Sequence, residues 1–199
     1  CHTGALLAPD GSIDWLCVPR FDAPSLFGSL LDREAGLFRL GPFGVTVPSD
    51  RHYVPGTNVL STTWKTGGGW LEVTDALIMG PTSHVDTVTP HTRPPTDEDA
   101  AHMLVRTVTC LEGEVELELI CEPAFDYGRE PAEWTLVDDG RHTADASGAG
   151  QTVRLQTNLA LGVEASRIRA RHTLAAGERA YVALSWGEGL SAPGDVDDA

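Results

Sequence analysis

Residues 103–122 read Met103-Leu104-Val105-Arg106-Thr107-Val108-Thr109-Cys110-Leu111-Glu112-Gly113-Glu114-Val115-Glu116-Leu117-Glu118-Leu119-Ile120-Cys121-Glu122. Placing Glu112-Gly113 in a two-residue turn pairs Leu111 with Glu114. Cys110 then faces Val115, Val108 faces Leu117, Arg106 faces Leu119 and Leu104 faces Cys121. One face of the expected hairpin is apolar except for Arg106. The other carries Thr107, Thr109, Glu114, Glu116 and Glu118 and is mainly wet, as in a half-buried antiparallel sheet. Cys110 and Cys121 fall at opposite ends of that ladder, beyond the Cα separation of about 7 Å that a disulfide allows.

The same period of two runs through nearly the whole chain, interrupted at short intervals by Gly, Pro and Asp, and reads as all-β. Residues 3–7 and 13–18 flank Pro9-Asp10-Gly11-Ser12, where proline presets φ, aspartate tolerates the bend and Gly11 takes positive φ. Residues 58–66 and 70–79 flank Gly67-Gly68-Gly69 as a second hairpin. Further strands are expected at 151–157, 167–174 and 179–186, the last two joined across Ala175-Ala176-Gly177-Glu178. A helical turn or two is expected only at 25–32. Residues 80–101 hold Pro81, Pro90, Pro94 and Pro95. They cannot form a central strand, and are expected to be a long surface excursion of the functional or mobile kind. Residues 191–199, rich in Pro, Gly and Asp, read as a frayed end or the start of an interdomain linker. Residues 1–190 are left as one β-sandwich domain.

Composition excludes several classes. A length of 199 residues fits one large domain or two small ones. Hydrophobic residues make up 41% and charged residues 22%, which rules out disorder and collagen-like chains. Lys and Arg number 14 against 29 Asp and Glu, a formal net charge of −15, so the clustered cations that nucleic-acid phosphates require are missing. No run of 18 apolar residues is present to span a membrane as a helix. The four cysteines, Cys1, Cys17, Cys110 and Cys121, show no zinc-like spacing. They are expected as free thiols in a reducing cytoplasm. Cys1 at the first position is expected to mark a start inside a longer protein, with an anchored lipoprotein cysteine as the alternative.

No chemical constellation stands out. Glu112, Glu114, Glu116 and Glu118 could supply the two carboxylates of a glycosidase, but they share a solvated face without aromatics and are expected to be sheet surface. The seven histidines are scattered. His84 and His91, with Asp86 and Asp97, lie in the Pro-rich stretch, where no rigid metal geometry is expected, and neither a metal nor a cofactor is called for. The serines lack a nucleophile setting and Cys17 lies in an apolar strand. Gly67-Gly68-Gly69 lacks the Lys and helix start of a phosphate loop. The segment from Asp10 to Asp22 is the unusual one: a tight turn, an apolar strand, then Pro19-Arg20-Phe21-Asp22. Aromatic rings beside Arg and Asp suit contact with sugar. The structural alternative is an Arg20–Asp22 pair pinning a corner, with Trp15 and Phe21 in the core.

Thr3-Gly4-Ala5-Leu6-Leu7 followed by Asp10-Gly11-Ser12-Ile13-Asp14-Trp15-Leu16-Cys17-Val18-Pro19-Arg20-Phe21-Asp22 resembles the amino-terminal domain of bacterial glucoamylase-like and trehalase-like proteins of glycoside hydrolase family 15. The likeness continues at Phe27–Asp32, Tyr53–Leu60, Val73-Thr74-Asp75, Leu104-Val105-Arg106, Pro123–Arg129 (with Asp126 and Tyr127) and Leu174–Trp186. It implies a two-layer antiparallel super-β-sandwich of the galactose-mutarotase-like kind, followed by a linker and an (α/α)6 barrel. That barrel would carry two catalytic glutamates and hydrolyse α-glucosidic bonds with inversion. Neither glutamate maps onto this chain, so a non-catalytic domain is expected, one that braces the barrel. Trp15, Arg20, Phe21 and Asp22 are the candidates for the active-site rim or interdomain contact. Asp10, Gly11, Arg106, Asp126 and Tyr127 are the structural candidates. The expected partners are the protein's own barrel, an α-glucoside reached through it, and a second copy meeting an uncovered apolar interdomain face. An independent carbohydrate-binding module is the alternative; it requires a row of exposed aromatics, which Trp64, Trp70, Trp134 and Trp186 do not make legible.

Overall fold

The computed structural model describes residues 2–79 and 100–187. Its strands are β1 (Leu6–Leu7), β2 (Ser12–Cys17), β3 (Ser25–Phe27), β4 (Leu37–Pro42) and β5 (Asp50–Tyr53), then β6 (Leu60–Lys65) and β7 (Gly69–Met79). After β8 (Ala100–Glu122) come a single turn α1 (Phe125–Gly128), β9 (Glu130–Pro131), β10 (Glu133–Leu136) and β11 (Thr143–Gly148). The chain closes with β12 (Gln151–Thr157), β13 (Gly162–Glu164), β14 (Arg167–Ala175) and β15 (Arg179–Trp186). All named strand pairs are antiparallel.

These strands form an all-β sandwich whose two layers share one long strand. The carboxyl half of β8 lies between β4 and β14, and its amino half between β7 and β15. The first layer runs β1-β2-β4-β8-β14-β13, and the second β5-β6-β7-β8-β15-β12-β11-β10. One hydrophobic cluster fills the space between them, joining Phe38, Leu40, Leu117 and Leu119 of the first layer to Trp64, Val73, Val108, Leu155 and Leu184 of the second. Truncating such a leucine to alanine typically costs 2–5 kcal/mol, about as much as a marginally stable domain can spare.

The expected hairpin at 103–122 is therefore corrected. Residues on both sides of Glu112-Gly113 belong to one strand, and Arg106 lies opposite Asp75 and Val182, not Leu119. The inward positions stay as read: Leu104, Arg106, Val108 and Cys110 before the dipeptide and Val115, Leu117, Leu119 and Cys121 after it are all buried. A bulge produces that change of phase. Trp70 faces Glu112 while Leu71 faces Cys110, so Leu111 is left over and half-exposed. The two-residue hairpin turns with the required twist need positive φ at the first residue or at both, and here only the second, Gly113, at φ 73°, has it. A Cβ at Gly113 would stand 2.0 Å from the Gly68 carbonyl oxygen, so only glycine lets the β6–β7 turn close on the bend. β14 and β15 bend at the same level: the Gly177 N–H donates to the Cys110 carbonyl and the Cys110 N–H to that of Glu178.

A second correction concerns 25–32. Ser25–Phe27 is strand β3, and turns follow to Asp32. Leu26 and Phe27 are buried, whereas Leu30 and Leu31 are exposed. The apolar spacing that imitates a helix joins a buried strand to a turn. The turns at 9–12 and 67–69 fall between β1 and β2 and between β6 and β7. Residues 80–99 and the tail 191–199 lie outside the described residues, while Ala100 and Ala101 begin β8.

Candidate functional site

β2 carries the chain from the Asp10-Gly11 turn to the corner. Asp10 Oδ1 accepts the Ser12 N–H at 3.0 Å. Gly11, at φ 85°, places its carbonyl to accept Arg106 Nη2 at 2.7 Å, and a Cβ there would lie 2.3 Å from the Leu40 carbonyl oxygen. Arg106 is wholly buried. Its Nε donates to Asp75 Oδ1 at 2.6 Å and its Nη1 to the Phe38 carbonyl at 2.8 Å, with the guanidinium over the Phe38 ring. One side chain thus ties β8 and β7 of the second layer to β4 and the Gly11 turn of the first. Asp75, its counter-ion, was readable only as part of the family-like Val73-Thr74-Asp75 stretch.

Beyond Cys17 the Val18–Pro19 peptide is cis and the chain reverses. The Phe21 N–H donates to the His2 carbonyl at 2.8 Å, the Ala23 N–H to the Arg20 carbonyl, and Arg20 Nε pairs with Asp22 Oδ1 at 3.4 Å. Arg20, Phe21 and Asp22 are brought together here. Phe21 does not enter the core: it is 60% exposed, with its ring against Gly4. Trp15 stands further back on β2, half-buried, where its side chain hydrogen-bonds the Cys17 thiol. Burial pushes that thiol's pKa up, and the bond to Trp15 opposes it. Burial likewise pushes the Cys121 thiol up. Cys17, Cys110 and Cys121 are free and buried.

Asp126 and Tyr127, at φ 49° and 60°, form a left-handed turn inside α1 with Gly128. Asp126 pairs with Arg129 at 3.2 Å and Tyr127 is half-exposed. That turn packs near the β11–β12 hairpin: the Phe125 ring lies against Gly148, and Glu130 Oε1 accepts the Ala149 N–H at 2.6 Å. Between this hairpin and the corner opens a cleft of ≈ 350 Å³, walled by Val18–Pro19, Gly150–Val153 and Trp186–Gly187. Three stretches this far apart left no local signal of the cleft in the sequence.

The acidic row divides. Glu112, Glu114 and Glu116 are exposed, as read, but Glu118 is buried. It accepts Arg39 Nη1 at 2.9 Å and Arg171 Nη2 at 3.0 Å, and Arg169 Nη2 lies 3.5 Å away. The Arg171 guanidinium stacks on Phe43 at 3.6 Å. Four arginine and phenylalanine side chains so occupied make Glu118 a structural counter-ion. No group of three His, Cys, Asp or Glu suited to a metal occurs among the described residues. His84, Asp86, His91 and Asp97 lie outside them. Trp64 is buried, Trp134 donates to the Ser166 carbonyl, and Trp70 lies beneath the Lys65 ammonium. These tryptophans form no exposed row.

The fold and site thus define a β-sandwich module with a charged corner and a neighbouring cleft. The chain belongs to the family described as trehalase-like, N-terminal, which it matches over residues 1–164. It is 52% identical over 192 residues to a trehalase of Mycolicibacterium smegmatis, covering 94% of this chain and 29% of that protein. To a trehalase of Mycobacterium tuberculosis it is 50% identical over 191 residues, 93% of this chain and 28% of the relative. Trehalase 1 of Sulfolobus acidocaldarius is 37% identical over 135 residues, 67% of this chain and 20% of that protein. The chain therefore spans under a third of the length of these relatives. No helix among the described residues is long and apolar enough to cross a membrane.

Proposed function

We propose that residues 1–190 form the non-catalytic amino-terminal domain of a longer trehalose-hydrolysing enzyme of glycoside hydrolase family 15. In this reading a linker begins near residue 191 and leads to an (α/α)6 barrel, which supplies an acid and a base glutamate and cleaves the α-glucosidic bond with inversion. The sandwich braces that barrel, and Trp15, Arg20, Phe21 and Asp22 face the rim of its active site. The three buried thiols suit a reducing cytoplasm, where we place the protein.

The exposure of Phe21 beside the Arg20–Asp22 pair carries the rim assignment. An aromatic face next to charged donors and acceptors matches a sugar's apolar face and its hydroxyls, and this ring contributes little to the core. The test is made on the full-length enzyme. Arg20→Ala and Phe21→Ala should each lower kcat/KM for trehalose by about tenfold, the scale on which lost positioning acts, with melting unchanged. Unchanged kcat/KM at unchanged stability removes the corner from the site. Assaying maltooligosaccharides beside trehalose identifies the substrate, and the anomer first released distinguishes inversion from retention.

A further inference from the structure

The cleft beside the corner has properties that the rim assignment leaves unused. None of the side chains in its walls is charged, in a chain of net charge −15. Trp186 is 6% exposed, and its indole N–H, sealed from solvent, meets no acceptor among the described residues. A buried donor without a partner costs about 1–3 kcal/mol. Left-handed backbone gathers at the same end of the sandwich. His102 (φ 52°) lies edge-on to Trp186 with ring centroids 6.4 Å apart, whereas Ala149 (φ 49°), beside the wall, has the positive φ that its two-residue hairpin turn with Gly150 requires. Asp126 and Tyr127 sit behind the hairpin. Non-glycine residues held in this region cost of order 1–3 kcal/mol each and cluster where a surface has work to do. β15 also delivers Trp186 and Gly187 into the wall, and its trehalase relatives continue well beyond the matched part.

We propose that the cleft seats an uncharged segment of the polypeptide that follows the sandwich in the longer protein, packed against the Trp186 side chain in the cleft wall. A charged segment would be desolvated there without a counter-ion, at a cost far above that of a neutral one. The proposal rests on reading this chain as the amino-terminal part of a longer hydrolase, and it names the place where the two parts meet.

Backbone amide exchange, compared between the full-length protein and the 199-residue chain, tests it. Peptides covering 17–22 and 149–154 should exchange about tenfold or more slowly in the full-length protein, because opening there would require undocking. Thr152→Arg, at an exposed position on the wall, should abolish that protection while leaving the melting temperature of the 199-residue chain unchanged. Val47→Arg, on the exposed β4–β5 loop, should leave both unchanged. Equal exchange in the two proteins overturns the proposal. Protection that rises with protein concentration assigns the cleft to a second copy and overturns it as well. Trehalose hydrolysis measured on the same sample keeps the two readings apart: activity with equal exchange sinks the docking site alone, and protection without activity sinks the enzymatic assignment alone.

Discussion

Arg106 and Arg20 each pair with an aspartate, at 2.6 Å and 3.4 Å, and the two pairs do opposite things. The Arg106 and Asp75 side chains are 0% and 4% exposed, whereas those of Arg20 and Asp22 are 57% and 81% exposed. Arg106 is closed off from bulk solvent, and three acceptors on three segments depend on its one guanidinium. Around Arg20 water screens the pair and replaces either partner. The same two residue types act in one place as a bolt between sheets and in the other as a polar surface available for recognition.

Arg106→Ala should break this contrast most severely. It strands the Asp75 carboxylate and two backbone carbonyls in the core, and breaking a buried pair from one side costs about 3–5 kcal/mol. Urea unfolding of the 199-residue chain measures it. The double change Arg106→Met with Asp75→Leu should recover much of that loss, since apolar groups of similar volume leave no uncompensated charge behind. If the double variant is as unstable as the single, the carbonyls of Phe38 and Gly11, and not the ion pair, dominate the site.

Glu118 lies between the two extremes. It is buried, but two of its three arginines reach solvent, with side chains of Arg169 and Arg171 36% and 41% exposed against 10% for Arg39. Glu118→Ala should therefore cost about 2–3 kcal/mol, the range of charge-assisted hydrogen bonds. Most of it should come from Arg39, which then keeps only the Pro42 and Val45 carbonyls. Arg39→Ala combined with Glu118→Ala should cost little more than Glu118→Ala alone. Additive losses in the urea midpoints would show that Arg169 and Arg171 carry the cluster.

Both clusters mark how far the sequence is legible. Alternation along 103–122 identifies every inward position, and Arg106 stands out as the one cation among apolar neighbours. Its partners belong to β7, β4 and the Gly11 turn, and no local pattern links them. Glu118 shares the spacing of Glu114 and Glu116 and yet is buried, because Arg39, Arg169 and Arg171 come from β4 and β14. The bend at Glu112-Gly113 imitates a hairpin turn since a bulge and a two-residue turn both shift the phase of alternation. Only the neighbouring strands, β4 and β14 beside one half of β8 and β7 and β15 beside the other, separate the two. The corner at Arg20 was legible as unusual chemistry, but the exposure of Phe21 goes with a backbone bond to the His2 carbonyl, which pattern reading does not supply.

Asp138 shows that an exposed carboxylate is not idle when backbone donors surround it. Its oxygens accept the N–H groups of His142 at 3.0 Å and Thr143 at 2.7 Å, closing the loop between β10 and β11. Desolvation acts to raise its pKa, but these two backbone bonds and the nearby His142 charge outweigh it and hold the carboxyl below its ordinary value of 3.8. A depressed pKa in the folded state means stability that is present above the unfolded value and lost as pH falls through the folded one. Asp138→Ala should thus be less stable than the parent chain at pH 6, and the difference should begin to shrink only as pH falls below about 4, toward the depressed folded pKa. Parallel melting curves from pH 6 to pH 3 would show that the loop holds without this charge.

Arg20→Ala should have the smallest effect on folding, within about 0.5 kcal/mol, as exposed ion pairs and surface substitutions usually do. Asp22→Ala should match it, and the double variant should equal either single, because a solvent-screened pair has almost no coupling to lose. The comparison with Arg106 depends on this null result. A loss above about 1 kcal/mol in Arg20→Ala would make the corner part of the fold's own support. An effect of the same substitution on trehalose turnover in the full-length enzyme could then be a consequence of misfolding at the edge of β2. A silent Arg20 leaves recognition as the account of why two charges and an aromatic ring stand together in solvent.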